Sequence, residues 1–326
     1  YRRLGIPAQH QPFGYVPSWV WVGVGTMEPA KTTFDLAPVY RKKHVNFIHG
    51  AATEVHPDEQ YVVAQGAHGG DPTRIDYDYL VVATGPRLDF ESTPGLGPHG
   101  GHTYSICTLD HAIQARDAYL ESVKKMEAGE DQRLVIGTGH PMATCQGAAF
   151  EYITNIHKDL VRRGVRDKAD LLWLSNEPAV GDFGVRGVRV KKKDQVFTSE
   201  QFLLALFEDY GIRSEVQRGV TSVDDDVIHW EDFDGEYGET PYDFAMLVPR
   251  FLGVSMKFIG EDGSDVAEKV VNHGGLILVD AEYGLSYDDL RETPDAWPGR
   301  YQNPTYPNIF AAGIAFAPPG PISEPH

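Results

Sequence analysis

Cysteine is scarce in this sequence, which contains only Cys107 and Cys145 among its 326 residues. Two cysteines are too few for a disulfide-stapled scaffold, and they lack the Cys-x-x-Cys spacing of a zinc site. The 13 histidines form no His-x-x-x-His pair. The sequence therefore gives no local support for a metal centre, and each cysteine must be judged by its surroundings.

Long apolar runs and an excess of positive charge are also absent. No stretch approaches the roughly 20 apolar residues that a membrane-spanning helix needs, and no targeting signal can be recognised after Tyr1. Lysine and arginine number 29 against 47 acidic residues, which gives a net charge of −18. This charge argues against nucleic acid as a partner. The run Lys191-Lys192-Lys193 is interpreted as a solvated loop rather than a phosphate or lipid site.

The first clear elements are a strand and a helix. Residues 78–83 form an apolar run that ends at Thr84-Gly85-Pro86, which predicts a strand buried on both faces and stopped by a turn. Apolar residues recur at helical spacing over residues 109–123, and Thr108 can cap this helix. Cys107 is therefore predicted to lie just before a helix N-terminus.

A strand, helix and strand follow, with a glycine turn between the first two. The strands are residues 133–136 and 171–174, the helix spans 149–160, and the turn is Gly137-Thr138-Gly139. Such a turn is where a dinucleotide phosphate would bind. However, proline and methionine at 141–142 depart from the glycine pattern. We interpret the turn as a relic of the fold rather than a working nicotinamide site.

The remaining elements are predicted from capping and apolar patterns. They are a helix that begins with the capping pair Thr198 and Gln201 and stops at Gly211, strands at 212–216, 227–230, 244–248 and 308–313, and loops at 260–275 and 287–307.

Both cysteines are predicted to lie near helix N-termini, because Cys145 follows the glycine turn. The helix dipole favours a thiolate at such positions, so a lowered thiol pKa is expected at Cys107 and Cys145. The alternative for each is a small buried apolar residue.

Several segments together resemble the sulfide:quinone oxidoreductase family, over nearly the whole chain. They are Asp78 to Pro86, Ser105-Ile106-Cys107-Thr108 with Asp110-His111-Ala112, Cys145 with Phe150-Glu151, Glu177-Pro178 with Phe183-Gly184-Val185, and Gln302 to Tyr306 with Asn308-Ile309-Phe310. The first is shared by many flavoproteins, and the Ser-Ile-Cys-Thr segment is much more specific.

The resemblance implies an FAD enzyme of the disulfide-reductase superfamily that oxidises sulfide and reduces a membrane quinone. It implies an α/β fold of two dinucleotide-binding, Rossmann-like domains, the second inserted in the first. The expected boundaries are 1–105 with 271–326 for the FAD-binding domain and 106–270 for the second.

The resemblance also assigns expected roles to residues of this chain. Cys145 is the expected sulfur acceptor, and Cys107 the thiol beside the flavin. His111 and Glu151 would handle protons, although a surface histidine and a solvated glutamate are equally open interpretations. Asp182 stands where the family often has histidine, which puts that part of the proton path in doubt. The expected cofactor contacts are Pro17, Ser18, Ala52, Thr84, Gly85, Cys107 and Gly313.

The first glycine loop of such a protein is expected before Tyr1, and its membrane-docking segment after His326. Without that loop, these residues alone are expected to bind FAD weakly. Peripheral attachment to a membrane is expected, and assembly into homo-oligomers is left open. Two alternatives remain: the flavoprotein subunit of flavocytochrome c sulfide dehydrogenase, and a non-catalytic module with a flavoprotein-like fold.

Overall fold

The computed structural model describes residues 5–8 and 12–320. Its helices are α1 (Trp19–Gly23), α2 (Leu36–Lys42), α3 (Leu109–Glu127), α4 (Gln146–Arg163), α5 (Ser199–Tyr210) and α6 (Tyr287–Glu292). Its strands are β1 (Gly5–Ala8), β2 (Pro12–Gly14), β3 (Thr33–Asp35), β4 (Asn46–His56), β5 (Tyr61–Gly66), β6 (Thr73–Asp76), β7 (Leu80–Val82), β8 (Pro86–Asp89), β9 (Gln132–Thr138), β10 (Ala169–Leu174), β11 (Arg189–Lys192), β12 (Gln195–Thr198), β13 (Ile212–Glu215), β14 (Arg218–Val223), β15 (Val227–Asp232), β16 (Tyr237–Pro241), β17 (Phe244–Val248), β18 (Arg250–Gly253), β19 (Lys257–Phe258) and β20 (Ile309–Ala311).

The chain divides into two compact units, and the second is inserted in the first. Described residues of the first unit lie in 5–14, 33–87 and 252–320, and those of the second in 15–32 and 88–251. The predicted boundaries after residues 105 and 270 stay a prediction. The extreme ends of the predicted first domain, residues 1–4 and 321–326, lie outside the described residues.

Four parallel strands form the central sheet of the second unit, in the order β13-β10-β9-β17. In chain order these are strands 3-2-1-4, the arrangement of the doubly wound dinucleotide-binding fold. Every residue of β17 is buried. Burial on both faces explains why these strands appear in the sequence as continuous apolar runs.

Alternate residues of this sheet pack into two different cores. Leu134 and Ile136 of β9 pack with α1, α3 and α4, and this core also takes Leu203 and Phe207 of α5. Val135, between them in sequence, packs on the opposite face against the antiparallel sheet β14-β15-β16. The second unit is therefore a three-layer α/β structure, which confirms the predicted fold class.

The first unit is built around an antiparallel meander. Strands β4, β5 and β6 pair in order, and β1 and β19 both run parallel to β4. Strand β7 pairs in parallel with β20. The core of this unit contains Val55, Val62, Phe258, Val270 and Ile309. Three further two-stranded sheets are present. They are β2 with β3 in the first unit, β11 with β12 in the second unit, and β8 with β18.

Helix signals in the sequence were reliable where a cap was present. Thr108 caps α3 by accepting from the His111 amide. The capping box of Thr198 and Gln201 is complete in α5, which ends at Gly211 in the left-handed conformation. The strand–helix–strand unit is also confirmed, because β9 and β10 pair in parallel around α4.

Three predictions are wrong. The run Lys191-Lys192-Lys193 was interpreted as a loop, but Lys191 and Lys192 lie in strand β11 and only Lys193 lies in the turn that follows. The strand at residues 78–83 is shorter and is not buried on both faces, because β7 has one strand neighbour and Val81 is 59% exposed. The loop predicted at 287–307 contains helix α6, whose N-cap Ser286 accepts from the Asp289 amide at 3.1 Å. A serine cap followed by two aspartates in the first turn stabilises this short helix.

Among the described residues, no helix has the length and apolar character needed to cross a bilayer.

Candidate functional site

Cys145 lies at the turn between β9 and α4, where it is the N-cap of that helix. Its backbone is left-handed, with φ 72° and ψ 36°. For a residue with a side chain this conformation costs about 1 kcal/mol or more, and such residues concentrate at functional turns. The residue is exposed. Atoms packed around its thiol nevertheless raise the thiol pKa by burial, partly offset by the Ala148 amide.

Cys107 lies directly before Thr108, the N-cap of α3, and it is half-buried. Its amide donates to the Ser105 hydroxyl at 3.1 Å. Burial raises the pKa of the Cys107 thiol to about 12, and the charge on Cys145 acts in the same direction. The second unit therefore brings the two thiols within electrostatic reach of each other.

The predicted positions of the two cysteines are correct, but the expected effect on their acidity is wrong. Each lies at or beside a helix N-terminus. The pKa of each thiol is nevertheless raised, because the burial of the thiol outweighs the helix dipole. A base is therefore needed to produce a thiolate near neutral pH.

Glu151 lies on α4, one and a half turns beyond Cys145, and is exposed. Its negative charge raises the pKa of the Cys145 thiol. Its expected role in handling protons stays a prediction.

His111 lies on the first turn of α3 and is only 6% exposed. Its Nε2 atom lies 3.0 Å from Nε2 of His99, and Phe90 packs edge-on against its ring. Burial lowers the pKa of His111 to about 4, with a further contribution from His99. His99 is a residue that the sequence did not point to, because its pairing depends on contacts between distant segments.

Glu177 and Asp182 were named in the sequence, but their burial together was not predicted. Glu177 is fully buried after β10, and it accepts from the Ser175 hydroxyl at 2.8 Å and the Phe183 amide at 2.7 Å. Burial raises its pKa to about 7, and Asp182 adds to this. Asp182 is itself buried with a raised pKa, and it accepts from the Gly184 amide at 2.9 Å. An acidic residue three positions beyond the apolar run at residues 171–174 was the available signal for Glu177.

The glycine turn after β9 is explained by packing. A Cβ on Gly137 would lie 1.6 Å from the Leu174 carbonyl oxygen. Beyond the turn, Asn176 donates to the Pro141 carbonyl at 2.7 Å and to the Ala143 carbonyl at 3.1 Å. The interpretation of the turn as a relic of the dinucleotide-binding fold stays a prediction.

Three of the predicted cofactor contacts lie together in the first unit. Strands β7 and β20 are parallel neighbours, with Ala311 opposite Val82, so the turns that follow them share one edge. Gly85 has φ +70° and Gly313 φ +66°, and a Cβ on either would meet nothing within 4 Å. Thr84 beside them is exposed. This open glycine edge fits an extended cofactor, because backbone there can be approached closely.

The other predicted contacts lie elsewhere. Ala52 is in β4 of the first unit, at a bulge where the pairing with β5 shifts. Pro17 and Ser18 belong to the second unit, in a 3-10 helix at Val16–Ser18. The Ser18 hydroxyl is buried and donates to the Tyr15 carbonyl at 2.6 Å. Any cofactor contact of Ser18 would therefore have to use its backbone.

Within the part of the chain that the structure describes, no group of three or more histidine, cysteine and acidic side chains is arranged to hold a metal ion.

Comparison with known proteins identifies the relatives of this chain. It is 29% identical to the sulfide-quinone reductase of Aquifex aeolicus over an alignment of 314 residues. This alignment covers 96% of this chain and 62% of the relative. This chain is similar to sulfide-quinone reductases. The mitochondrial sulfide:quinone oxidoreductase of Schizosaccharomyces pombe is 23% identical over 92% of this chain and 56% of its own length. No family model matches.

Solved structures support the same relationship. The sulfide:quinone oxidoreductase structure from Aquifex aeolicus matches with a TM-score of 0.75 at 28% identity, over 97% of this chain and 63% of that one. NDH2 from Plasmodium falciparum matches with a TM-score of 0.64 at 14% identity, over 96% of this chain and 59% of that one. The second match shows the shared two-domain, Rossmann-like fold. The chain spans about six-tenths of the length of these relatives.

Proposed function

We propose that this protein catalyses the flavin-dependent oxidation of sulfide to sulfane sulfur, with a quinone as electron acceptor and peripheral attachment to a membrane. The proposal rests above all on one observation: the two cysteines lie at or beside helix N-termini of one unit, and Cys145 is exposed on a left-handed turn. The homologues named for sulfide and quinone support this choice. Cys145 is the proposed sulfur acceptor because it is exposed, whereas Cys107 is half-buried.

The sulfur chemistry that these residues would perform can be balanced. The Cys145 thiolate and HS⁻ form a sulfur–sulfur bond, giving a persulfide anion, one proton and two electrons. Burial favours the protonated thiol of Cys145, so Glu151 would first remove its proton, release that proton to solvent, and then accept the proton of HS⁻. Cys107, which is half-buried, keeps the role that the resemblance implies, a thiol beside the flavin.

FAD is the proposed cofactor. When bound, it supplies the two-electron acceptor that links sulfide oxidation to quinone reduction. In the first unit, Thr84, Gly85 and Gly313 would hold it at the open edge of β7 and β20, where both glycines have free space beyond Cα. Ala52 would contribute from β4. The contacts expected at Pro17, Ser18 and Cys107, which belong to the second unit, stay predictions.

The test uses full-length protein loaded with FAD. Wild type should show flavin bleaching with sulfide and sulfide-dependent reduction of decylubiquinone. Cys145→Ser should still bind FAD but lose both reactions by a factor of about a thousand or more, since it removes the nucleophile. Intact quinone reduction in the Cys145 variant would refute the mechanism.

The same assay separates the alternatives. Faster transfer to cytochrome c than to decylubiquinone would favour the flavocytochrome subunit. A wild-type protein with FAD bound that sulfide cannot bleach would favour a non-catalytic module. Glu151→Gln should lower the rate most strongly at low pH, where less sulfide and less thiol are ionised, and this change of pH profile separates a base from a structural residue.

A further inference from the structure

The hairpin formed by β11 and β12 differs in composition from the rest of the protein. Residues 185–204, which contain it, carry five basic and two acidic side chains, while the whole chain has a net charge of −18. Seven large apolar side chains in this stretch are exposed: Val185, Val188, Val190, Val196, Phe197, Phe202 and Leu204. Positive charge and exposed apolar surface therefore coincide in one short segment.

The hairpin carries both kinds of side chain on both of its faces. Val190 pairs directly with Phe197, and Lys192 lies two residues along on the same face. The other face carries Val196 opposite Lys191. Every residue of β11 is exposed, and Phe197 is 46% exposed. A two-stranded hairpin that exposes apolar side chains on both of its faces is poorly stable by itself in water.

The base of the hairpin is fixed to the unit. The Ser199 hydroxyl accepts from the Val188 amide at 2.8 Å and donates to the Gly181 carbonyl at 2.6 Å. Helix α5 starts immediately after the hairpin with its complete capping box, and its Leu203 and Phe207 are buried. The exposed strands therefore project from a rigid attachment, which makes them suited to contact an external surface.

The basic side chains of the hairpin have no acidic partners of their own. Neither Arg189 nor any of Lys191, Lys192 and Lys193 forms an ion pair within the described ranges, 5–8 and 12–320. The turn at the tip, formed by Lys193 and Asp194, adds one charge of each sign. Uncompensated positive charge on an otherwise acidic protein favours an anionic surface as partner.

We propose that this hairpin is a docking element for an anionic lipid surface. Its apolar side chains would enter the boundary between headgroups and acyl chains, while the long lysine and arginine side chains reach the phosphates. Basic side chains and exposed apolar side chains occur together on both faces of the hairpin, a combination that favours an anionic lipid interface over a protein partner.

This inference extends the membrane attachment in the proposed function, but it can fail separately. The direct test is co-sedimentation with vesicles of phosphatidylcholine, with or without phosphatidylglycerol. Wild type should bind the anionic vesicles, and rising salt should weaken the binding. Equal binding to both kinds of vesicle would overturn the proposal.

Two variants of the hairpin separate charge from apolar contact. Changing Lys191, Lys192 and Lys193 together to glutamine should weaken binding to anionic vesicles by at least about tenfold. Phe197→Ser should weaken it by several-fold and leave the salt dependence in place. The charge control changes Arg41, Lys42 and Lys43, an exposed basic run of the first unit, to glutamine.

The apolar control is Tyr237→Ser, at a strand position that is 75% exposed. Both controls should bind vesicles like wild type, and if either weakens binding as much as its hairpin counterpart, the docking element is not the hairpin. Sulfide-dependent reduction of decylubiquinone in detergent is measured alongside. If that activity is absent while vesicle binding depends on the hairpin, the proposed function fails and the docking element stands.

Two further measurements test what the hairpin contacts. In Phe197→Trp, the tryptophan difference emission should shift to the blue on adding anionic vesicles. If sedimentation velocity shows instead that the hairpin variants break up a larger assembly and vesicle binding is unchanged, the partner is a second copy of the chain and the proposal is wrong.

Discussion

The imidazole Nε2 atoms of His99 and His111 lie 3.0 Å apart in the second unit. One proton must lie between them, because two bare nitrogens at that distance would repel. The Nδ1 atom of His111 is buried and has no hydrogen-bond partner among the described residues. A positive charge on His111 is therefore strongly disfavoured, and burial keeps its ring neutral.

His111 should make stability depend on pH at the acidic side. Its pKa is lowered from 6.5 to about 4 in the folded state, so the unfolded chain binds more protons between these values. The free energy of unfolding should fall by roughly 3 kcal/mol as the pH falls from 6.5 to 4. Urea unfolding across this range should show that His111→Gln loses this component.

The control for that experiment is His99→Gln. Removing the His99 charge should raise the pKa of His111, which histidine resonances followed by NMR would show directly. An unchanged pKa of His111 in this variant would mean that the two rings are not coupled.

Glu177 should produce the opposite dependence. Its pKa is raised from 4.5 to about 7 by burial, so the folded chain binds more protons between these values. The free energy of unfolding should therefore fall as the pH rises from 4.5 to 7, by roughly 3 kcal/mol. Glu177→Gln keeps hydrogen bonds to Ser175 and Phe183 available, and the difference in unfolding free energy between variant and wild type should grow across this range.

A flat difference between Glu177→Gln and wild type from pH 4.5 to 7 would mean that Glu177 is ionised in the folded protein. Asp182→Asn, which changes the neighbouring carboxyl, should shift the wild-type dependence to lower pH, because it removes the charge that helps to raise the pKa of Glu177.

The sequence predicted the second unit better than the first, for a physical reason. Strands such as β10 and β17 are buried on both faces and stand out as apolar runs. The meander of β4 to β6 alternates only weakly, because it is partly exposed on both sides, and it was missed. Local signals define caps and strand ends, whereas the first unit is held by pairings between distant segments.

The same distinction applies to the candidate site. The positions of Cys107 and Cys145 followed from local patterns of capping and turn residues. Their raised thiol pKa values did not, because burial is set by the packing of the whole unit. His99 could not be found either, since its contact with His111 joins a loop to the first turn of α3.

The glycine edge of the first unit gives a matched pair of substitutions. Gly313 and Gly263 both have positive φ and open space where a Cβ would lie. Alanine at either should lower the free energy of unfolding by about 1 kcal/mol, because the left-handed conformation disfavours a side chain. Only Gly313→Ala should also weaken FAD binding, measured by fluorescence titration. Equal FAD affinity in the two variants would remove Gly313 from the proposed cofactor edge.

The left-handed backbone of Cys145 allows its thiol and its conformation to be tested separately. Alanine removes the thiol but keeps a side chain in the left-handed conformation. Glycine removes the thiol and also relieves the backbone strain. Cys145→Gly should therefore be more stable than Cys145→Ala by roughly 1 kcal/mol in urea unfolding. If the thiol is the sulfur acceptor, both variants should lack sulfide-dependent quinone reduction despite this difference in stability. Activity in the glycine variant alone would instead show that the strained turn, and not the thiol, limits the reaction.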